Sequence, residues 1–290
     1  MVAAKLKDIV GSIDALPTLP SVVSRVNELV DDPNASAGDI NEVISHDMAL
    51  SSKILKLVNS AFYGFPRRIS SITHAVVILG FQTVRNIALS AFVLDAFDSE
   101  ELPFGYRNFW IHSVGVGVAA NAIGQRQGIP VGDDAFMCGL LHDIGKLVVH
   151  QYLPDDFAKV LDRANAEGTT LVQAEVGILP ADHAEVGALL MEQWQLPEKM
   201  VSVLRYHHRP ERVPEEAGKL TATVHAADIL VRALLIGSGG DQKIPVISEK
   251  VWTELGLSEE VLPELMKDIS ADMGKVEAFI ELVQGSSTAK

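Results

Sequence analysis

Apolar residues recur along most of the chain at helical spacing, and strict alternation of apolar and polar positions is rare. Val22, Val23, Val26, Leu29 and Val30 share one helix face, with Pro20 at a first-turn position. The run Asp31 to Ser36 breaks that helix, and Ser36 with Asp39 three residues on forms a capping-box pattern for a helix through Ile44. Leu50, Ile54, Leu57 and Val58 mark a helix from Ala49 to Ser60. Ser71 caps a short helix that Gly80 stops, and a longer one follows to Phe97. Beyond residue 106 the pattern predicts a long helix to Gln127 and a single helix from Ala135 to Leu153. Further helices are expected over Asp155 to Glu167, Thr170 to Val176, after Pro180, after Leu196, and from Gly218 to Gly237. Two or three short ones close the chain. The expected class is all-α.

The polar stretch "DSEELPFGY" (Asp98 to Tyr106) reads as a boundary. It divides an N-terminal helical subdomain, 1–105, from a second helical subdomain, 106–235. "GSGGDQKIP" (Gly237 to Pro245) reads as a flexible connector, opening a C-terminal part, 236–290, of short helices with a fraying tail. No internal repeat or low-complexity segment is evident.

With 290 residues, 48% of them hydrophobic, the chain can bury a sizeable core. The net charge of -14 argues against a phosphate-backbone partner, since nucleic-acid binding needs a basic footprint, and against anionic membrane surfaces. The one cysteine, Cys138, cannot form an intrachain disulfide and lies in an apolar run. No signal peptide and no membrane-spanning run is read, so a soluble cytoplasmic protein is expected.

Against this background "LLHDIGKLVV" (Leu140 to Val149) is out of place: His142, Asp143 and Lys146 interrupt an apolar segment. Of the nine histidines, His112, His183, His207 and His208 fall on other predicted helices, and Asp228 sits inside the apolar "VHAADILV". Imidazoles and carboxylates on the inner faces of several helices are the donor set of a metal site in a helical bundle. Burying each alone costs at least a few kcal/mol for a charged group, which a shared divalent cation removes. Asp143 has two oxygens with which to bridge two ions. Lys146, i+3 from Asp143 and i+4 from His142, can reach a phosphate oxygen or pair with a carboxylate. Other histidines read as structural: His46 at a helix end or on the surface, His74 and His150 at interfaces or half-buried, His225 in a structural hydrogen bond. A lone "HD" arises often by chance; the weight lies in the set.

The order His112, His142-Asp143, Asp228 resembles the H…HD…D signature of the HD superfamily of metal-dependent phosphohydrolases. "LLHDIGKL", "DHAEVGALLMEQWQLP" and "VLRYHH" are similar to the HD-GYP branch, which hydrolyses cyclic di-GMP and whose additional histidines match His183, His207 and His208. The N-terminal half is closer to another relative. "LPTLP", "LKLVNSAFYG" and "SITHAVVILG" resemble the HDOD domain (HD-related output domain) of bacterial signalling proteins, over roughly Leu16 to Ala233. After His208 the chain reads "RPERVPEE" in place of a Gly-Tyr-Pro motif, so cyclic di-GMP is disfavoured as a substrate.

The resemblance implies a multi-helix HD-type bundle and a binuclear site. His112, His142, Asp143 and Asp228 would hold one ion and His183, His207 and His208 the second, with Asp143 bridging. Iron, manganese or zinc all suit such ligands. In an enzyme, Asp143 and Lys146 would be the catalytic groups, Lys146 offsetting developing negative charge during hydrolysis of a phosphomonoester or phosphodiester. Three functions are carried forward. The first is a signal-transduction output protein with a retained metal site. The second is a metal-dependent phosphohydrolase acting on a phosphate-containing small molecule. The third is a metal-free interaction scaffold. A signalling protein is the expected partner, with the N-terminal subdomain as contact surface.

Overall fold

The computed structural model describes residues 17–60, 62–97, 102–132 and 134–284. Every regular element among them is helical, the isolated bridge Val176–Leu179 apart, so the all-α expectation holds. The first sixteen residues and the tail after residue 284 lie outside the described residues, as does part of the connector from Asp98.

The chain forms two compact units. One takes residues 19–97 together with 272–284. Its helices are Ser21–Val30 (α1), Ala37–Ser45 (α2), Met48–Val58 (α3), Ile72–Leu79 (α4) and Phe81–Ala96 (α5). The sequence punctuation explains their ends. Ser36 and Asp39 make the reciprocal capping box, Asp47 caps α3, Ser71 caps α4, and Gly80 turns the chain at φ 85° from α4 into α5. The apolar faces meet around Val26, Ile40, Ile44, Ile54 and Leu57, all nearly inaccessible. A final helix, Met273–Gln284, returns to this unit and sets Phe279 5.1 Å from Phe62.

The other unit contains Tyr106–Gln127 (α6), Asp134–Leu141 (α7), Ile144–Tyr152 (α8), Pro154–Glu167 (α9), Leu171–Glu175 (α10), His183–Gln193 (α11) and Glu198–Tyr206 (α12). After two short 3-10 turns come Gly218–Ala233 (α13), Glu249–Leu255 (α14) and Val261–Ala271 (α15). The long helices α6 and α13 pack on each other and on α7, and α11 packs on α8 and α12. A second apolar cluster under α8 to α10 is built from Val149, Phe157, Val160, Leu171 and Ala174.

One expectation is corrected. The apolar run from Ala135 to Leu153 is two helices, α7 and α8, with His142 and Asp143 in the turn between them. The turn is fixed locally: the His142 ring bonds the Gly139 carbonyl at 2.7 Å, and the Lys146 amide bonds the Asp143 carbonyl at 2.9 Å. The break aims both side chains inward, which an unbroken helix would not do for neighbouring residues.

Candidate metal centre

Close approach of helices assembles the site. A Cβ on Gly145 would lie 1.9 Å from the His183 carbonyl oxygen and 2.7 Å from the Gly187 amide, so only glycine lets α8 and α11 meet there. That contact brings His183, at the first turn of α11, to Asp143. His112 comes from α6, His207 and His208 from the end of α12, and Asp228 from the middle of α13.

Asp143 stands at the centre and is fully buried. Its Oδ2 is 3.3 Å from His142 Nε2 and 3.7 Å from His112 Nε2. Its Oδ1 is 3.2 Å from His183 Nε2 and 3.9 Å from His207 Nε2. Asp228 Oδ1 completes the first side, 3.2 Å from His112 Nε2 and 3.7 Å from His142 Nε2. On the second side His208 Nε2 is 2.9 Å from His183 Nε2. All seven residues singled out in the sequence therefore converge. Two overlapping groups have ligand atoms close enough together to hold an ion: His112, His142 and Asp143; and Asp143, His183, His207 and His208. Asp228 lies beside the first group, sharing its Oδ1 with Arg232.

The imidazoles are oriented from behind. The Nδ1 of His142 donates to the Gly139 carbonyl and that of His207 to the Leu204 carbonyl, each at 2.7 Å. A carbonyl only accepts, so Nδ1 carries a proton in each ring and Nε2 is the nitrogen that faces inward, where a metal would take its lone pair. His183 Nδ1 lies 2.8 Å from Glu175, a carboxylate that also accepts the His183 backbone amide. The Nε2 atoms of His112, His142 and His207 and the Oδ1 of Asp143 are buried and make no hydrogen bond of good geometry. Converging polar atoms left poorly paired in an apolar interior are costly, and a divalent cation in each of the two groups would satisfy them. The residues present fit a metal.

The electrostatics agree. Burial favours a neutral ring at His142, but Asp143 beside it prevails and raises it to about 9. Burial likewise opposes charge on His183, and Glu175 overrides it, pushing it up to about 10. Those protons sit where a cation would bind, and metal binding displaces them. His207, desolvated and flanked by His142, is pushed down to about 3 and stays a neutral donor. Asp143 remains ionised despite burial because His142 and Lys146 hold it well below the usual carboxylate range.

Three neighbours escaped sequence reading. Glu175 orients His183. Arg232 donates Nε to Asp228 at 2.8 Å. Asp241 belongs to the segment expected to be a flexible connector, which instead closes over the site: its Oδ2 is 3.1 Å from Lys146 Nζ and 3.3 Å from Arg232 Nη1, and its Oδ1 accepts the Leu171 amide at 2.6 Å. Gly239 lies against the ligands, for a Cβ there would be 2.8 Å from Asp143 Oδ2. Lys146, wholly buried, donates to Asp143 at 2.7 Å, to the Gly239 carbonyl at 2.9 Å and to Asp241. His225 is structural as expected, its Nδ1 2.6 Å from the His207 carbonyl. His150 is half-buried against Phe157, whereas His74 is exposed. A pocket of about 350 Å³ reaches the cluster from outside at His208, Asp228 and Arg232.

A helical fold with a His-Asp pair at the hub of a histidine–carboxylate cluster defines a protein of the HD-superfamily type. The profile of the HDOD domain matches residues 16–210, and the chain belongs to the HDOD family. It is similar to an HDOD domain protein of unknown function from Geobacter sulfurreducens, with TM-score 0.77 and 27% identity, covering 96% of each chain. A structure from Shewanella amazonensis SB2B, provisionally named a phosphohydrolase, has TM-score 0.73 and 26% identity over 95% of this chain and 97% of that one. Another from Marinobacter aquaeolei VT8, provisionally named a signal transduction protein, has TM-score 0.75 and 25% identity over 96% of this chain and 61% of that one. An uncharacterized protein of Treponema pallidum (strain Nichols) is 32% identical over 239 residues, which is 78% of this chain. The chain spans 44% of the length of that curated relative. No helix among the described residues is long and apolar enough to cross a membrane.

Proposed function

We propose that the chain is a regulatory output protein of bacterial signalling built around a two-ion metal centre. The observation that carries this is the inward set of unpartnered Nε2 atoms, with Nδ1 atoms tied to backbone carbonyls, on both sides of one buried carboxylate. His112, His142 and Asp228 serve one ion, His183, His207 and His208 the other, and Asp143 offers one oxygen to each. Iron, manganese or zinc suits this mixed donor set.

Lys146 takes a different part from that of a free electrophile. Its three N–H bonds all go to Asp143, Gly239 and Asp241, so it holds the bridging carboxylate in place and balances its charge. The segment over the site, 237–241, favours a centre that binds and reports over one that turns over freely. The partner is a signalling protein. Output measured in cells should be lost in a His142→Ala, Asp143→Ala double variant made at wild-type abundance; unchanged output contradicts the reading.

The pocket at His208, Asp228 and Arg232 favours a second reading, a metal-dependent phosphohydrolase acting on a small phosphate ester. The metal would supply Lewis acidity toward a phosphoryl oxygen. Cyclic di-GMP stays disfavoured because Arg209 to Glu216 replaces the Gly-Tyr-Pro element. Turnover of aryl phosphates that disappears in Asp143→Ala supports this second reading, and equal rates in both proteins remove it.

A further inference from the structure

Three donors converge beside the ligand cluster: the Lys146 ammonium, the Arg232 guanidinium and the Leu171 backbone N–H. All three are taken by one carboxylate, Asp241, at 3.1, 3.3 and 2.6 Å. An ammonium, a guanidinium fork and a backbone amide are the donor set that binds a phosphoryl group. Arg232 is only 9% exposed, lines the 350 Å³ pocket, and its Nη1 and Nη2 make no hydrogen bond of good geometry. Asp241 thus uses the fork incompletely. A tetrahedral oxyanion has more acceptor oxygens than a carboxylate and can satisfy what Asp241 leaves unmet.

Charge points the same way. Asp143, Asp228, Asp241 and Glu175 face two fixed cations, Lys146 and Arg232. A divalent ion on each side of Asp143 would leave this cluster net positive, and an anion would then be drawn in. The pocket meets the seat at Arg232, and its volume suits a phosphoryl group with a small organic substituent.

We infer that Lys146, Arg232 and the Leu171 amide form an oxyanion seat for a phosphate-bearing small molecule, and that Asp241 is its built-in occupant, displaced when the ligand binds. Displacement would free the segment around Gly239 to Asp241 from the site. Ligand binding is thereby converted into a movement of surface chain, which suits an output protein. The seat consists of this chain's own groups; the inference rests on the metal-centre reading for the charge that draws the anion in.

The test uses full-length protein, its metal content measured alongside, with inorganic phosphate as the probe. Asp241→Asn should bind phosphate at least tenfold more tightly than wild type by calorimetry. Phosphate should raise its melting temperature more than it raises that of wild type, because the added anion replaces the lost carboxylate. This rescue is read even if the variant is less stable, and a merely structural Asp241 would not produce it. Arg232→Gln should weaken phosphate binding at least tenfold, with Arg232→Lys restoring part of it. In wild type, phosphate should speed amide exchange over 237–245. Metal-loaded Asp241→Asn that binds phosphate no more tightly than wild type, with no thermal rescue, overturns the inference and leaves the metal centre standing. Wild-type protein that holds no metal overturns the metal-centre reading, and the inference falls with it.

Discussion

Gly145 stands where a side chain would strike the His183 carbonyl, and this one contact lets a histidine from α11 reach an aspartate beside α8. Gly145→Ala must push the helices apart. We expect a loss of about 1–3 kcal/mol from overpacking, with metal content falling too, measured by chemical denaturation and elemental analysis. Glu175 acts at one remove. Glu175→Gln keeps the shape but removes the charge that orients His183, and metal affinity should fall by about 10–100-fold in a competitive chelator titration. An unchanged affinity would show that Glu175 does not support the ligand. At this scale the sequence was informative about the ligands and silent about their support. The seven predicted ligands are visible because histidine and aspartate are out of place in apolar helices. Glu175 looks like any acid near a helix end, and nothing in its spacing ties it to His183. Arg232 carried a faint signal, being four residues after Asp228 on the same helix.

Among the elements, several start and stop signals made by a local side chain were readable, while the caps Asp47, Asp182 and Ser248 went unread. Ser36 and Asp39, Ser71 and Gly80 act through bonds to their own backbone neighbourhood, so a sequence window contains the whole cause. Ser36→Ala should therefore cost about 1 kcal/mol in a thermal or urea melt. The division between α7 and α8 was hidden for the opposite reason. Its apolar positions continue across the break, since residues on both sides are core, and the turn is held by a side chain that also points into a site built from distant helices. The segment from Gly237 to Pro245 was misread likewise: glycine, serine and lysine suggest a loose connector, yet Asp241 is anchored by Lys146, Arg232 and the Leu171 amide. Asp241→Ala strips a buried ammonium and guanidinium of a shared partner and should destabilise the unit by several kcal/mol in the absence of added anion.

At the scale of the whole molecule, the HDOD membership sets the fold, and the convergence of histidines and aspartates on Asp143 is what the proposed metal centre rests on. Class and helix order were legible because helical periodicity is local. The pairing of the last helix with the unit of residues 19–97 was not, because it joins segments about 200 residues apart through contacts such as Phe62 with Phe279. Metal bound to the folded state alone stabilises it by mass action, so chelator treatment should lower the melting temperature and restored metal should recover it. The central claim is tested most directly by elemental analysis of full-length protein purified without chelator or a nickel column, beside the Asp143→Ala variant. Two equivalents of iron, manganese or zinc per wild-type chain, lost in Asp143→Ala, is the expected result. Wild-type protein with no bound metal, even after incubation with these ions, would contradict it.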